Sequence, residues 1–127
     1  MGFKLENTVS SVNVVILAED NGFRAYGLID NNAGKRTAEV GEFLIRASMN
    51  DSGHFFLDYD NGQIGYVFYM PYGSIEEDED LELLWVVPAS RFEEYGDALL
   101  KVILGCSAPK AALEESINNS ELKEEAN

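Results

Sequence analysis

Residues 58–66 read DYDNGQIGY, and this stretch decides the fold because it fits two different structures. Its aspartates, asparagine and glycine are typical of a calcium loop, which takes oxygen ligands at its first, third and fifth positions and a glutamate at its twelfth. Counted from Asp58, however, the fifth position is Gly62 and the twelfth is Tyr69. Asn-Gly between two apolar runs is instead the strongest short-range signal for a β-hairpin. We therefore expect a hairpin tip here and no metal site.

A two-residue turn at Asn61-Gly62 fixes which residues of this hairpin face each other. Side chains alternate between the two sides of a strand, so an apolar side that emerges from the assumed turn supports the register. The register sets Tyr59 opposite Ile64, Leu57 opposite Tyr66 and Phe55 opposite Phe68 on one side, and Asp58 opposite Gly65, Phe56 opposite Val67 and His54 opposite Tyr69 on the other.

The same signal occurs a second time, nearer the N-terminus. Residues 12–18 and 23–29 are mainly apolar, and Asn21-Gly22 stands between them. We expect a second hairpin here, and again no calcium loop. Its predicted register sets Ala18 opposite Ala25, Val14 opposite Ile29, and Glu19 opposite Arg24 as a favourable charge pair.

After the hairpin at residues 12–29, the apolar residues change to helical spacing. A helix is predicted from Arg36 onward, and the polar residues 50–53, which end in glycine, are expected to stop it. The apolar stripe of this helix consists of Val40, Phe43, Leu44 and Ala47.

The part of the chain that follows the hairpin at residues 54–70 is predicted to be helical. We interpret the acidic run at residues 76–80 as the solvated start of a helix rather than a site for a metal or a basic partner, because negative charge is favourable beside the exposed N–H groups. Pro88 interrupts the pattern, and residues 90–93 (SRFE) predict a capping box that begins a new helix. Gly105 is expected to end that helix, and Pro109 to lie in the first turn of the last one.

The predicted order of elements is ββα followed by ββαα. Hairpins rather than βαβ crossovers imply an α+β fold, in which an antiparallel sheet of β-hairpins has helices packed on one face. The 127 residues are suited to one domain. We place that domain at residues 1–119 and a polar, frayed C-terminal tail at residues 120–127.

Charge and composition exclude several classes of function. The formal net charge is −14, a field that repels nucleic acid and anionic lipid, so we expect neither nucleic acid nor a membrane as a partner. Cys106 is the only cysteine, and neither a signal peptide nor a membrane span is evident, so we expect a cytoplasmic protein. One cysteine and one histidine, His54, are too few for a zinc site or a catalytic triad. We therefore assign no catalytic, metal-binding or cofactor-binding residue.

The chain from Arg36 to Leu113 resembles the YbjN-like domain family. The pattern is a helix that ends near an asparagine, a glycine-aromatic strand with an acidic hairpin tip, a long helix with a central aromatic, and a glycine before Ser-x-Pro. It is carried by RTAEVGEFLIRASMN at 36–50, GHFFLDYDNGQIGYVFYM at 53–70 and RFEEYGDALLKVILGCSAPKAAL at 91–113.

This resemblance implies a bacterial protein with a fold like that of type III secretion chaperones, often paired into dimers. Family members are described only as candidate sensory transduction regulators or as proteins of unknown function, so no catalytic residues are implied. The chain departs from the family in one respect. Members usually have a helix before the first strand, whereas the segment of residues 1–11 is too short, and contains too many β-branched residues, to predict that helix.

The second side of the hairpin at residues 54–70 is also apolar, which is unusual for a sheet with one face in water. Either the last helices of the chain cover this side or a partner does, and a homodimer is the preferred partner. We expect Phe56, Val67 and Tyr69 to contribute to that contact. The sequence thus predicts a non-catalytic protein-binding or regulatory module. The alternative is a small-ligand binder or enzyme with a pocket between sheet and helices.

Overall fold

A computed structural model describes the backbone of residues 2–4, 11–49 and 51–126, and the side chains of residues 11–49 and 51–118. The described residues form five strands, three α-helices and two short 3-10 turns. The strands are β1 (Gly2–Lys4), β2 (Ser11–Ala18), β3 (Gly22–Asn32), β4 (His54–Leu57) and β5 (Gln63–Pro71); the helices are α1 (Thr37–Ser48), α2 (Leu83–Ile103) and α3 (Pro109–Ala126); the 3-10 turns are Tyr72–Ser74 and Asp78–Glu82.

The strands form one antiparallel sheet in the order β1-β2-β3-β5-β4. Strand β3 lies at the centre, where it joins the two predicted hairpins by pairing with β5. The predicted α+β class is therefore confirmed. The short β1 was not predicted, and it pairs with residues 11–13 of β2.

Both hairpins form, but each register differs by two residues from the prediction. Ala18 pairs with Phe23 rather than Ala25, and Phe55 pairs with Tyr66 rather than Phe68. A two-residue turn at Asn-Gly requires positive φ at the asparagine. No non-glycine residue in the described ranges has positive φ, so neither Asn-Gly forms that turn. Four residues separate the last register pair of the hairpin at β2 and β3, Ala18–Phe23, and six separate Leu57–Ile64 at β4 and β5. In the second loop Gly62 takes the left-handed conformation, with φ +75°.

The two-residue difference leaves every side chain on its predicted side, because side chains alternate with a period of two. We call the side that contacts the helices the inner face. In the second hairpin it carries Phe55, Leu57, Ile64, Tyr66 and Phe68, of which the first four also pair with one another.

All three helices contribute to the core over the inner face. Helix α1 begins one residue after Arg36, and its predicted stripe of Val40, Phe43, Leu44 and Ala47 is buried as expected. Helix α2 lies across β2, β3 and β5, and α3 packs against α1 and α2. The predicted packing of helices on one face of the sheet is confirmed for the described residues.

Pro88 lies inside α2 and does not end it, so the predicted new helix and its capping box at residues 90–93 are wrong. Proline within a helix loses a hydrogen bond and crowds the preceding turn. Here the buried ring of Pro88 packs on Gly27 of β3, where an added Cβ would lie 2.8 Å from the proline Cβ. Close packing between a ring and a glycine lets the helix approach the sheet and favours the continuous helix.

Hydrogen bonds within a few residues define both ends of the helical segment that contains α2. At the acidic run, the Asp80 carboxylate accepts hydrogen bonds from the backbone N–H groups of Glu76 (2.9 Å) and Glu77 (3.1 Å), as expected for a helix start. At the other end of α2, Gly105 has φ +77°, and the Cys106 N–H bonds to the Lys101 carbonyl at 2.8 Å. This glycine stop was predicted and is confirmed. Helix α3 continues to Ala126, through most of the predicted tail.

Strand β4 lies at an edge of the sheet, where unpaired backbone groups would be open to another strand. The Phe55 N–H points away from β5 and donates to the Ser48 hydroxyl oxygen at 2.8 Å. That hydroxyl donates in turn to the Leu44 carbonyl at 2.7 Å. The end of α1 therefore closes this part of the edge.

The contact between Gly27 and Pro88 predicts that Gly27→Ala destabilises the protein. The new methyl would lie 2.8 Å from the Pro88 Cβ and 3.3 Å from the Val12 Cγ2, so the helix must move. We expect the free energy of unfolding, measured with urea, to fall by about 1–3 kcal/mol. The matched control is Gly73→Ala, because no atom lies within 4 Å of the added Cβ there. Equal effects of the two variants would contradict the close packing.

Candidate functional site

The second face of the sheet has no helix packed against it in the described part of the chain. We call it the outer face. None of its apolar residues belongs to either buried cluster. The strand pairings align them in rows across four strands. The apolar residues of the outer face are Val15, Leu17, Tyr26, Leu28, Phe56, Val67 and Tyr69.

The three predicted contact residues all lie on the outer face but differ in exposure. Tyr69 is 36% exposed, whereas Val67 is only 6% exposed. The Phe56 ring lies over Gly65, where a Cβ would have no room, and its edge meets the Tyr26 ring at a centroid distance of 6.3 Å. Aromatic side chains therefore shield part of this face, and Tyr69 is the most accessible predicted residue.

Val15 and Leu17 on β2 are more exposed than any predicted contact residue, at 47% and 48%. The hairpin analysis paired β2 with β3 but did not assign them to a face. The signal was present, because residues at i and i+2 of a strand share a side. The neighbours of Val15 and Leu17 across the sheet are Tyr26 and Arg24, and the next strand places Val67 and Tyr69 in the same rows.

The outer face differs in charge from the rest of the chain. Its central rows contain Arg24 and His54 but no carboxylate, although the protein carries 23 aspartates and glutamates. The Arg24 guanidinium lies 5.3 Å from the Tyr69 ring centroid and forms the predicted ion pair with Glu19, with an N–O distance of 2.7 Å. The hydrogen bond from Arg24 lowers the pKa of the Glu19 carboxyl. The central rows of the face are thus apolar and without carboxylates, and the charge of Arg24 is compensated by Glu19.

A second candidate site is a cleft of about 310 Å³ between the three helices, on the other side of the sheet. The predicted alternative placed a pocket between sheet and helices, whereas this cleft lies among α1, α2 and α3. Its polar lining consists of Arg46, Asp51, Arg91 and Glu94. Its apolar lining consists of Ala47, Tyr95, Leu113 and Ile117.

Asp51 lines the cleft, and its carboxylate accepts hydrogen bonds from three donors. The Arg91 Nε donates to its Oδ2 at 2.7 Å, and the Tyr66 hydroxyl donates to its Oδ1 at 2.9 Å. The Gly53 backbone N–H also donates to Oδ1, at 3.4 Å. Only 7% of the Asp51 side chain is exposed, against 28% for Arg91. This network connects α2 and β5 through the loop after α1, and sequence reasoning missed it.

The network shifts the pKa of each member. Burial alone would raise the pKa of the Asp51 carboxyl, but hydrogen bonds from Arg91 and Tyr66 outweigh it and hold the pKa below its ordinary value of 3.8. Burial, together with the neighbouring Asp51, raises the pKa of Tyr66 to about 12. The hydrogen bond to Asp51 raises the pKa of Arg91. At neutral pH, therefore, Asp51 is a carboxylate and Tyr66 a neutral donor.

The remaining candidate residues lie outside both sites or at the margin of the outer face. His54 is exposed and pairs with Val67 rather than with Tyr69, and Cys106 is exposed after the end of α2. At the hairpin tip the Asp58 carboxylate accepts a hydrogen bond from the Asp60 N–H at 2.9 Å, as in a turn. In the described residues, no cluster of histidine, cysteine and carboxylate side chains could hold a metal ion.

The Asp51 network predicts that Asp51→Asn destabilises the protein in a pH-dependent way. Loss of the buried charge leaves Arg91 without its partner, so we expect the free energy of unfolding to fall by about 1–3 kcal/mol at pH 7. Because the folded-state pKa of Asp51 is lowered, its stabilising contribution is present above 3.8 and is lost as pH falls through the folded-state value. The difference between wild type and variant should therefore shrink with acidification.

Urea unfolding of both proteins at neutral and acid pH measures this effect. The matched control is Glu42→Gln, which removes a carboxylate from an exposed ion pair with Arg46 at 3.0 Å on α1. That pair should contribute less than about 0.5 kcal/mol. A difference between wild type and Asp51→Asn that stays constant down to low pH would show that the charge of Asp51 is not what stabilises the fold.

Comparison of the chain with protein-family models, with curated proteins and with solved structures gave no match. Among the residues that the structure describes, no helix combines the length and the apolar character needed to span a bilayer. Function is therefore inferred from the outer face.

Proposed function

We propose that this chain is a non-catalytic protein-binding module of the YbjN-like type, a regulator or chaperone-like adaptor, and that the outer face is its contact surface. The single observation that carries the proposal is the exposure of Val15, Leu17 and Tyr69 on a sheet face that no described helix covers. Exposed apolar side chains gathered on one uncovered face are typical of interaction sites.

A second copy of the chain is the proposed occupant. Two molecules with a formal charge of −14 repel each other, so self-association favours a surface with few carboxylates. The central rows of the outer face meet this requirement, because they carry no carboxylate and their one arginine, Arg24, is already paired with Glu19. Two such sheets can pack face to face, with their apolar side chains interdigitated.

The size of the face predicts a weak dimer. Four strands about 4.8 Å apart, each with about five residues that rise about 3.3 Å, give a face of roughly 300 Å². Stable complexes bury about 800 Å² on each partner. The outer face alone would therefore support a reversible dimer, which a tighter protein partner could displace.

Light scattering after size-exclusion chromatography, over a series of protein concentrations, tests the proposal. We expect the mass of the wild type to rise toward that of a dimer with concentration. Tyr69→Asp and Leu17→Asp should remain monomeric, because Arg24, the cross-strand neighbour of both positions, is already paired with Glu19, so that pairing of the sheets would bury an additional carboxylate. Circular dichroism checks that each variant is folded.

The matched control is Ile45→Asp, which places the same charge at a side chain on α1 that is 70% exposed, away from the outer face. This variant should dimerise like the wild type. A wild type that stays monomeric at every concentration would remove the homodimer. Loss of dimer in Ile45→Asp but not in Tyr69→Asp would move the contact to the helices.

A further inference from the structure

The two hairpin turns share the sequence Asp-Asn-Gly, at residues 20–22 and 60–62, but differ in their hydrogen bonds. We infer that Asn21 is a modification site, at which water converts the side-chain amide to a carboxylate by spontaneous deamidation, and that the fold protects Asn61 from the same reaction. The inference does not rest on the proposed dimer, because the reaction takes place within one chain.

Deamidation at an Asn-Gly sequence uses the backbone nitrogen of the glycine as the nucleophile. This nitrogen loses its proton and bonds to the side-chain amide carbon of the asparagine, while the bond from that carbon to the amide nitrogen breaks and ammonia leaves. Glycine favours the step because no Cβ hinders the close approach. Water then opens the cyclic imide at the side-chain carbonyl to give aspartate, or at the backbone carbonyl to give isoaspartate. Overall, water is consumed and ammonia released, without an oxidant.

The Gly22 N–H is available for this step. The Gly22 carbonyl accepts a hydrogen bond from the Glu19 N–H at 2.8 Å, but no acceptor among the described residues binds the Gly22 N–H. The Glu19 carbonyl, the nearest acceptor across the turn, receives the Tyr72 hydroxyl at 2.6 Å. A hydrogen bond to the protonated form of a group disfavours its ionisation, so an N–H without an acceptor loses its proton more readily.

The peptide group between Asn21 and Gly22 is also polarised at its oxygen. The Asn21 carbonyl accepts a hydrogen bond from the Tyr72 N–H at 3.0 Å. Because this oxygen shares the negative charge when the Gly22 nitrogen loses its proton, the donor stabilises the nucleophile. The Asn21 side chain is exposed and has no hydrogen bond to the part of the chain that the structure describes, so it can rotate toward that nitrogen.

Both reacting groups are held in the second turn. The Gly62 N–H donates to the Asp58 carbonyl at 2.7 Å, and the Asn61 Oδ1 accepts a hydrogen bond from the Gln63 N–H at 2.9 Å. The Gly62 hydrogen bond must break before the nitrogen can attack, so we expect Asn61 to react at least about fivefold more slowly than Asn21. The identical tripeptides should react at similar rates in an unfolded chain.

The product changes the tip of the hairpin formed by β2 and β3. It adds a carboxylate next to Asp20, in a chain whose formal charge is already −14. Isoaspartate also lengthens the main chain between residue 21 and Gly22, and the carbonyl that Tyr72 binds is then no longer part of the peptide link. The hydrogen bond between the hairpin tip and the residue after β5 is therefore altered irreversibly.

Peptide mapping by mass spectrometry, after incubation of the folded protein at physiological temperature, measures the reaction at each site. We expect aspartate and isoaspartate to accumulate at position 21, faster at higher pH because the nucleophile is the deprotonated nitrogen, and at least about fivefold more slowly at position 61. The same incubation in urea should bring the two rates close together, because unfolding breaks the hydrogen bonds of both turns.

Two matched variants assign the product to its site. Asn21→Gln should remove most of the ammonia released by the folded protein, whereas Asn61→Gln should release it like the wild type, and circular dichroism checks that both variants are folded. Equal rates at the two sites of the folded protein, a faster reaction at Asn61, or an intact Asn21 after the protein in urea has fully reacted would each overturn the inference. An unchanged ratio of the rates in urea would show that the fold does not protect Asn61.

Discussion

The strict alternation of side chains along an antiparallel strand is the constraint on which the rest of this structure depends. It sends Phe55, Ile64 and Tyr66 to the helices and leaves Val15 and Leu17 on the opposite face. Because three helices are packed on the inner face, the apolar residues of the outer face gain no cover from the described chain. The same alternation that builds the core thus also produces the surface to which we assign binding.

Asp51 links the core to the cleft. Its carboxylate receives the Tyr66 hydroxyl from within the sheet and the Arg91 guanidinium from α2, so that the loop after α1 is fixed between the two layers. A buried ion pair contributes little net stability when its desolvation is counted, but loss of one partner is costly. Its main effect here is to position Arg91 at the wall of a polar cleft.

The features that could be predicted from sequence are those set by neighbouring residues. The hairpins, the stripe of α1 and the stop at Gly105 follow from local periodicity and turn chemistry, and each is present. The length of the loop between β4 and β5 was not predictable from Asn-Gly alone, because the Asp58 and Asn61 side chains bond to the backbone of the turn and favour a longer loop.

Other features depend on distant residues. Pro88 stays within α2 because it packs on Gly27, and Asp51 is charged and buried because Arg91 and Tyr66 reach it from other elements. The cleft takes its lining from three helices, whose arrangement no local pattern specifies. The outer-face residues Phe56, Val67 and Tyr69 were predictable because one hairpin contains all three. Alternation along β2 places Val15 and Leu17 on one side together, but only the strand order brings them onto the same face as that hairpin.

The hydrogen bond from the Phe55 amide to the Ser48 hydroxyl has a consequence for higher-order assembly. A fibril that grows by strand addition needs two open edges on every molecule, one to receive the previous copy and one to offer to the next. With the Phe55 amide already bonded to the end of α1, this position of the β4 margin offers no free donor to an added strand. The serine hydroxyl thus removes one growth contact from the edge, and a chain lacking that hydroxyl would expose this donor again.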